Sequence, residues 1–240
     1  MTLQRTIVLL AALALAAATA RLGVWQLDRA AQKTALQADI DSRRDLPPLV
    51  VADLAHSPGD APAQWHRRID LEGTWRREFT VYLDNRQMNG RPGFLVVTPL
   101  QLRDGTALLV QRGWQPRDAM DRSRVVEPAT PAGVVRVSGR IAPPPARLYE
   151  FDAAASGAIR QNLDLDAFAR ESRLQLRPVS LLQADDATVS GADGLRRDWL
   201  QPATGVDKHH GYAFQWFALS ALTIGLYVWF QILRPRRRQR

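Results

Sequence analysis

His209 and His210 are the residues of this chain best suited to chemistry, and they stand side by side at the start of a long apolar run. Counting from His209, Tyr212, Ala213 and Trp216 fall at i+3, i+4 and i+7, so on a helix the four share one face. A neutral imidazole in that setting could be an axial ligand to a haem iron, with Tyr212 and Trp216 flanking the porphyrin plane. The same pattern describes an aromatic belt that anchors a membrane span, with histidine as a polar interface residue. The other two histidines, His56 and His66, make no recognisable ligand spacing with this pair.

Other polar groupings point to structure. Asp84-Asn85-Arg86 follows a β-prone run and precedes Met88-Asn89-Gly90, which reads as turn chemistry. Gln111-Arg112-Gly113-Trp114 could present a guanidinium to an anion, or could end a strand with a structural glycine and a packing tryptophan. Asp164 and Asp166 read as the cap and first-turn charge of a helix. There is no nucleophile elbow, zinc-protease helix, P-loop or dinucleotide fingerprint, so no enzymatic activity is expected. The chain has no cysteine, which excludes disulfides, thiol chemistry and CxxC haem attachment.

Two apolar runs must position the histidines. The first, Thr6 to Ala20, carries no charge, and beyond Arg21 the segment Leu22 to Leu27 extends it to 22 residues. The second, Gly211 to Leu233, is 23 residues long. Crossing a hydrocarbon layer takes roughly 20 helical residues. Both runs are therefore expected to span, the first over 6–27 with Arg21 snorkelling to the headgroups. The alternative for the first is a cleaved signal peptide ending at Ala18-Thr19-Ala20.

Charge orients the pair. The tail 234–240 holds five arginines, which by the positive-inside bias is cytoplasmic. Two spans bring the N-terminus to the same side and put residues 28–207 outside the cytoplasm. All 24 acidic residues and 24 of the 32 basic ones lie between Asp28 and Asp207, so the middle domain is neutral and the net charge of +8 belongs to the ends. The basic balance is thus a topology signal, and no nucleic-acid partner is expected. Many alanines, and 30 arginines against two lysines, suggest a GC-rich bacterial gene.

The middle domain reads as β-dominated α+β with mainly antiparallel strands. A helical period continues from the first span over Asp28–Arg44 and stops at Pro47-Pro48. Strand patterns occupy Arg68–Trp75, Phe79–Leu83, Phe94–Leu100, Ala107–Val110, Val134–Ile141 and Pro178–Gln183. Asp104-Gly105 marks a hairpin, and hairpins are the expected connections. Leu163–Leu174 is predicted as a short helix, and Asp185–Gly205 as irregular.

Five blocks in this order resemble the Surfeit locus protein 1 family, membrane proteins that assist assembly of cytochrome c oxidase. They are Leu22-Gly23-Val24-Trp25-Gln26-Leu27-Asp28-Arg29 with Lys33; Gly73-Thr74-Trp75 with Leu83-Asp84-Asn85-Arg86; Gly90-Arg91-Pro92-Gly93-Phe94 through Leu100; Val110-Gln111-Arg112-Gly113-Trp114-Gln115-Pro116; and His209-His210-Gly211-Tyr212-Ala213-Phe214-Gln215-Trp216-Phe217. The resemblance implies an uncleaved first span in a bacterial inner membrane. It also implies a role in maturing the oxidase core subunit that carries haem a and copper. Haem a binding would use the histidine three residues before the tyrosine, here His209, with His210 as the alternative ligand. On that reading the porphyrin lies between the spans near the outer leaflet. Trp25, Tyr212 and Trp216 line the ring, and Arg29 or Arg21 pairs with a propionate. Haem passes to the oxidase core subunit, with haem a synthase as a possible donor. The rival reading is an assembly scaffold in the bilayer that never touches haem.

Overall fold

The structure, a computed structural model, describes residues 3–121, 124–149, 157–185, 193–199 and 205–234. The expected basic tail beyond Arg234 and most of the stretch between Asp185 and Gly205 lie outside the described residues. The chain forms two compact units, one from residues 1–40 with 201–240 and one from residues 41–200.

The first unit is a pair of helices. Helix α1 runs Leu3–Asp45, as an alanine- and leucine-rich segment with no internal proline can. Arg43 and Arg44 in its last turn suit the negative end of the helix dipole, and Pro47 forbids further extension. The last helix of the chain, labelled α4, covers Val206–Tyr227 and continues as a π-helical turn over Val228–Leu233. On α1 the buried positions Ala16, Thr19, Gly23 and Ala30 recur at steps of three, four and seven. On α4 Ala213 and Ser220 are seven apart. This is the spacing of a helix–helix seam, and its residues are small enough for the backbones to approach closely. A Cβ on Gly23 would lie 2.8 Å from the Phe217 ring. The Ser220 hydroxyl donates across the seam to the Ala16 carbonyl at 2.9 Å, and Thr19 returns its hydroxyl to Leu15 and Ala16 of its own helix.

Outside the seam both helices present apolar side chains outward, including Leu10, Leu13, Phe214 and Leu222. Each is long and apolar enough to cross a membrane. An exposed apolar surface of this extent is compatible with a membrane.

The second unit is a seven-stranded sheet: β1 Arg68–Trp75, β2 Val81–Met88, β3 Arg91–Leu102, β4 Ala107–Pro116, β5 Val134–Ala142, β6 Ile159–Arg160 and β7 Leu176–Gln183. Two short helices, α2 Ala61–Gln64 and α3 Leu165–Ser172, lie between strands. The strand order is β1-β5-β7-β4-β3-β2-β6, and β1 also pairs with β3. Five strands thus close into a ring. Gly73 sits at the closure, where a Cβ would come 2.4 Å from the Gln101 carbonyl oxygen. Inside the ring Leu71, Leu100, Leu108, Val110, Ile141, Val179 and Leu181 form the main core. Val81, Leu83, Val97, Leu109 and Phe168 form a second cluster involving α3. Strand β4 is buried on both faces, which explains its continuous apolar run.

The sheet is mixed, which corrects the expectation of a mainly antiparallel one. β4–β7 and β2–β6 pair in parallel. Among the described residues, local hairpins join only β2 to β3 and β3 to β4. β7 instead returns through β5, β6 and α3 to lie beside β4, and periodicity within a strand does not encode that crossover. The expected strand end at Asp84-Asn85-Arg86 is a β-bulge within β2, with Asn85 at φ 58°. The helix-cap reading of Asp164 holds: its carboxylate accepts from the Ala167 N–H at 3.0 Å, and Asp166 lies in the first turn.

Candidate functional site

In the helix pair, His209 comes against α1. Its Nδ1 lies 2.7 Å from Oε1 of Gln26, a residue 183 positions earlier in the chain. The seam spacing that buries Gly23 and Ala30 also turns Gln26 toward α4, and the spacing that buries Ala213 does the same for His209. Both side chains are half-buried. His210 is exposed on the adjacent position of the same turn.

The remaining expected residues divide. Trp216 is half-buried and in register with His209 and Ala213. Tyr212 is exposed one turn from His209. Trp25 is exposed on α1, where the Arg29 guanidinium lies 5.9 Å from its ring centroid, and Arg29 Nη1 donates to Gln32 Oε1 at 3.0 Å. The structure therefore brings His209 together with Gln26, keeps Trp216 on the seam, and joins Trp25 to Arg29 as a separate pair. Sequence reasoning passes over Gln26. The signal for it was the three- and four-residue spacing of small residues on α1. No group of three or more histidine, aspartate or glutamate side chains gathers as a metal set among the described residues.

In the sheet unit the motif residues build structure. Arg112 continues the inward line of Leu108 and Val110 on β4, and is buried. Its guanidinium stacks 4.8 Å from the Trp75 ring centroid and donates to Thr130 Oγ1 at 2.6 Å and the Ala129 carbonyl at 2.8 Å. Asp193 stands 3.6 Å away and also binds the buried Arg197. Burial pushes the Arg112 guanidinium below its ordinary pKa, and Asp193 opposes that shift. Trp114 donates its indole N–H to the Arg86 carbonyl at 2.9 Å, across the β2 bulge. Arg112 is buried, and is not open to a ligand in the way the anion reading of the Gln111–Trp114 segment requires.

A cleft of about 560 Å³ opens beside Asp70, Glu72, Arg103, Asp104 and Arg136. Glu72 and Asp104 are engaged. Arg103 and Arg136 bridge Glu72 at 2.7 and 2.9 Å, and the Arg136 hydrogen bond leads in lowering the Glu72 pKa. Asp104 accepts from Thr106 and pairs with Arg177 at 2.7 Å, and its pKa is lowered too, first by Thr106.

A closed mixed sheet flanked in sequence by two helices long and apolar enough to cross a membrane, with one engaged histidine on the helix pair, is compatible with a membrane protein. The chain belongs to the SURF1 family, whose sequence profile matches residues 13–221. That is a family of cytochrome c oxidase assembly factors. The chain is 26% identical to a SURF1-like protein of Monosiga brevicollis over 223 residues, covering 86% of this chain and 81% of that one. It is 24% identical to a SURF1-like protein of Rickettsia bellii over 212 residues, covering 86% and 83%. It is 25% identical to Surfeit locus protein 1 of Rattus norvegicus over 232 residues, covering 88% and 70%.

Proposed function

We propose that this protein assists assembly of cytochrome c oxidase by holding haem a at His209 and delivering it to the oxidase core subunit. The observation that carries this reading is the half-buried imidazole of His209, tied by one ring nitrogen to the neighbouring helix. With no group of three or more metal-ligating side chains among the described residues, an imidazole at this place suits a metal that brings its own equatorial donors, as a porphyrin does. Trp216 and Tyr212 supply aromatic surface within two turns of His209. Arg29, one turn beyond Gln26, offers a guanidinium to a propionate.

The seam itself is filled. Gly23 packs on Phe217, and Ser220 bonds to Ala16. With these seam positions occupied by side chains, the residues that would hold a porphyrin are His209, Tyr212 and Trp216. The helices span a bacterial inner membrane with both termini cytoplasmic and the sheet unit periplasmic. The exposed apolar surfaces and the basic tail support that topology. Haem a supplies the oxidase with a redox-active iron; the chain's part is to ligate, desolvate and orient it.

The test is genetic. In cells lacking the native copy, the His209→Ala protein is expressed to wild-type level and haem a in the oxidase is measured. Loss of oxidase haem a supports delivery. Full assembly with His209→Ala refutes it and leaves a scaffold that acts without haem.

A further inference from the structure

We infer that Gln26 is a positioning residue: its side-chain carbonyl fixes the proton of His209 on Nδ1 and leaves Nε2 as the ligating nitrogen. The inference rests on the proposed haem reading only for what Nε2 binds. The proton's place follows from the hydrogen bond alone.

The Gln26 atom facing His209 is Oε1, which can only accept. A contact of 2.7 Å between it and Nδ1 therefore requires an N–H on Nδ1. In a neutral imidazole the other nitrogen then carries the lone pair. The two ring nitrogens point in divergent directions, so anchoring Nδ1 on α1 aims Nε2 away from Gln26. Metal-binding histidines recurrently donate their second N–H to an oxygen in this way, which fixes both tautomer and ring plane. Here the oxygen comes from the other helix, and both side chains lie half-buried, where water competes less for the bond. Ligating strength at His209 is thereby made dependent on α1. A histidine on an unpaired α4 would carry neither a fixed proton nor a fixed ring plane.

The test uses the full chain, purified in detergent without haem and labelled with 15N at histidine. Long-range 1H–15N spectra report which ring nitrogen is protonated, and His209→Ala assigns the signal. The expected result is an Nδ1–H tautomer for His209 in the wild type and in Gln26→Glu, which keeps an accepting oxygen. Gln26→Leu should release that preference. Hemin titration is the second arm, with Gln26→Leu expected to bind about 10- to 100-fold more weakly. An Nε2–H tautomer in the wild type overturns the inference, as does Gln26→Leu with tautomer and affinity both unchanged. An Nδ1–H signal that depends on Gln26 in a protein that binds no hemin sustains the positioning and overturns haem carriage instead. If Gln26→Leu does not fold, a Gln26→Glu spectrum showing Nε2–H still refutes the proposal.

Discussion

Replacing Asp193 by Asn tests whether the sheet unit depends on a buried charge network. The side chains of Arg112, Asp193 and Arg197 are exposed by 2%, 1% and 1%. Asp193 touches both guanidiniums, while the other partner of Arg197, Asp185, is itself 59% exposed. Removing the carboxylate leaves two buried cations that repel each other. At the 3.6 Å separation of Arg112 and Asp193, an effective dielectric of 20 gives an attraction of about 4–5 kcal/mol. Breaking a buried pair from one side costs about 3–5 kcal/mol in measured cases. We expect Asp193→Asn to lose about that much, roughly a fifth or more of the stability of an ordinary domain. Urea unfolding of the full chain in detergent, followed by tryptophan fluorescence, reads this out. With a slope near 2 kcal/mol per molar, the midpoint falls by about 1.5–2.5 M. Arg112→Met added to Asp193→Asn should recover about 1 kcal/mol, because one of the two uncompensated cations is gone. A single-mutant cost below about 1 kcal/mol, or a double mutant weaker than the single, refutes the reasoning.

Other outcomes follow from the same structure. Gly23→Val pushes a side chain into the Phe217 ring, and should weaken the helix pair by about 1–3 kcal/mol, seen as earlier thermal loss of helix signal in detergent. Phe168→Ala empties the second core cluster and should cost about 3–5 kcal/mol in the same urea assay. Glu72, Asp104 and Glu171 all have lowered pKa values through hydrogen bonds and arginine partners. Carboxylates lowered on folding stabilise above their unfolded pKa and lose that contribution as pH falls through the folded one. Stability should therefore be flat near neutrality and decline below about pH 4.5, with a shallower decline in Glu72→Gln; a maximum at acid pH would contradict this. Ser138→Cys, on strand β5, should react with a membrane-impermeant maleimide in intact spheroplasts, and protection until lysis would reverse the topology.

What could be read from the sequence was what its local periods encode. The apolar runs located both long helices, and alternation at Arg68–Trp75 and Val134–Ile141 placed β1 and β5 within a residue. The ring closure and the parallel β4–β7 pairing join distant segments, so no local pattern announces them. Arg112 looked available to an anion because sequence shows a charge but not its burial. Its acceptors come from Ala129, Thr130 and Asp193, 17 to 81 positions away. At the candidate site the histidine pair stood out by residue type. Gln26 did not, because its significance lies in a contact between the two ends of the chain.

The proposed binding of haem a at His209 has a direct optical signature. The direct measurement is the absorption spectrum of the detergent-purified protein, co-expressed with haem a synthesis, beside its His209→Ala form. The expected result is a haem a Soret band that the substitution abolishes while the fold persists. A colourless wild type under the same conditions, or a band that survives in His209→Ala, would contradict it.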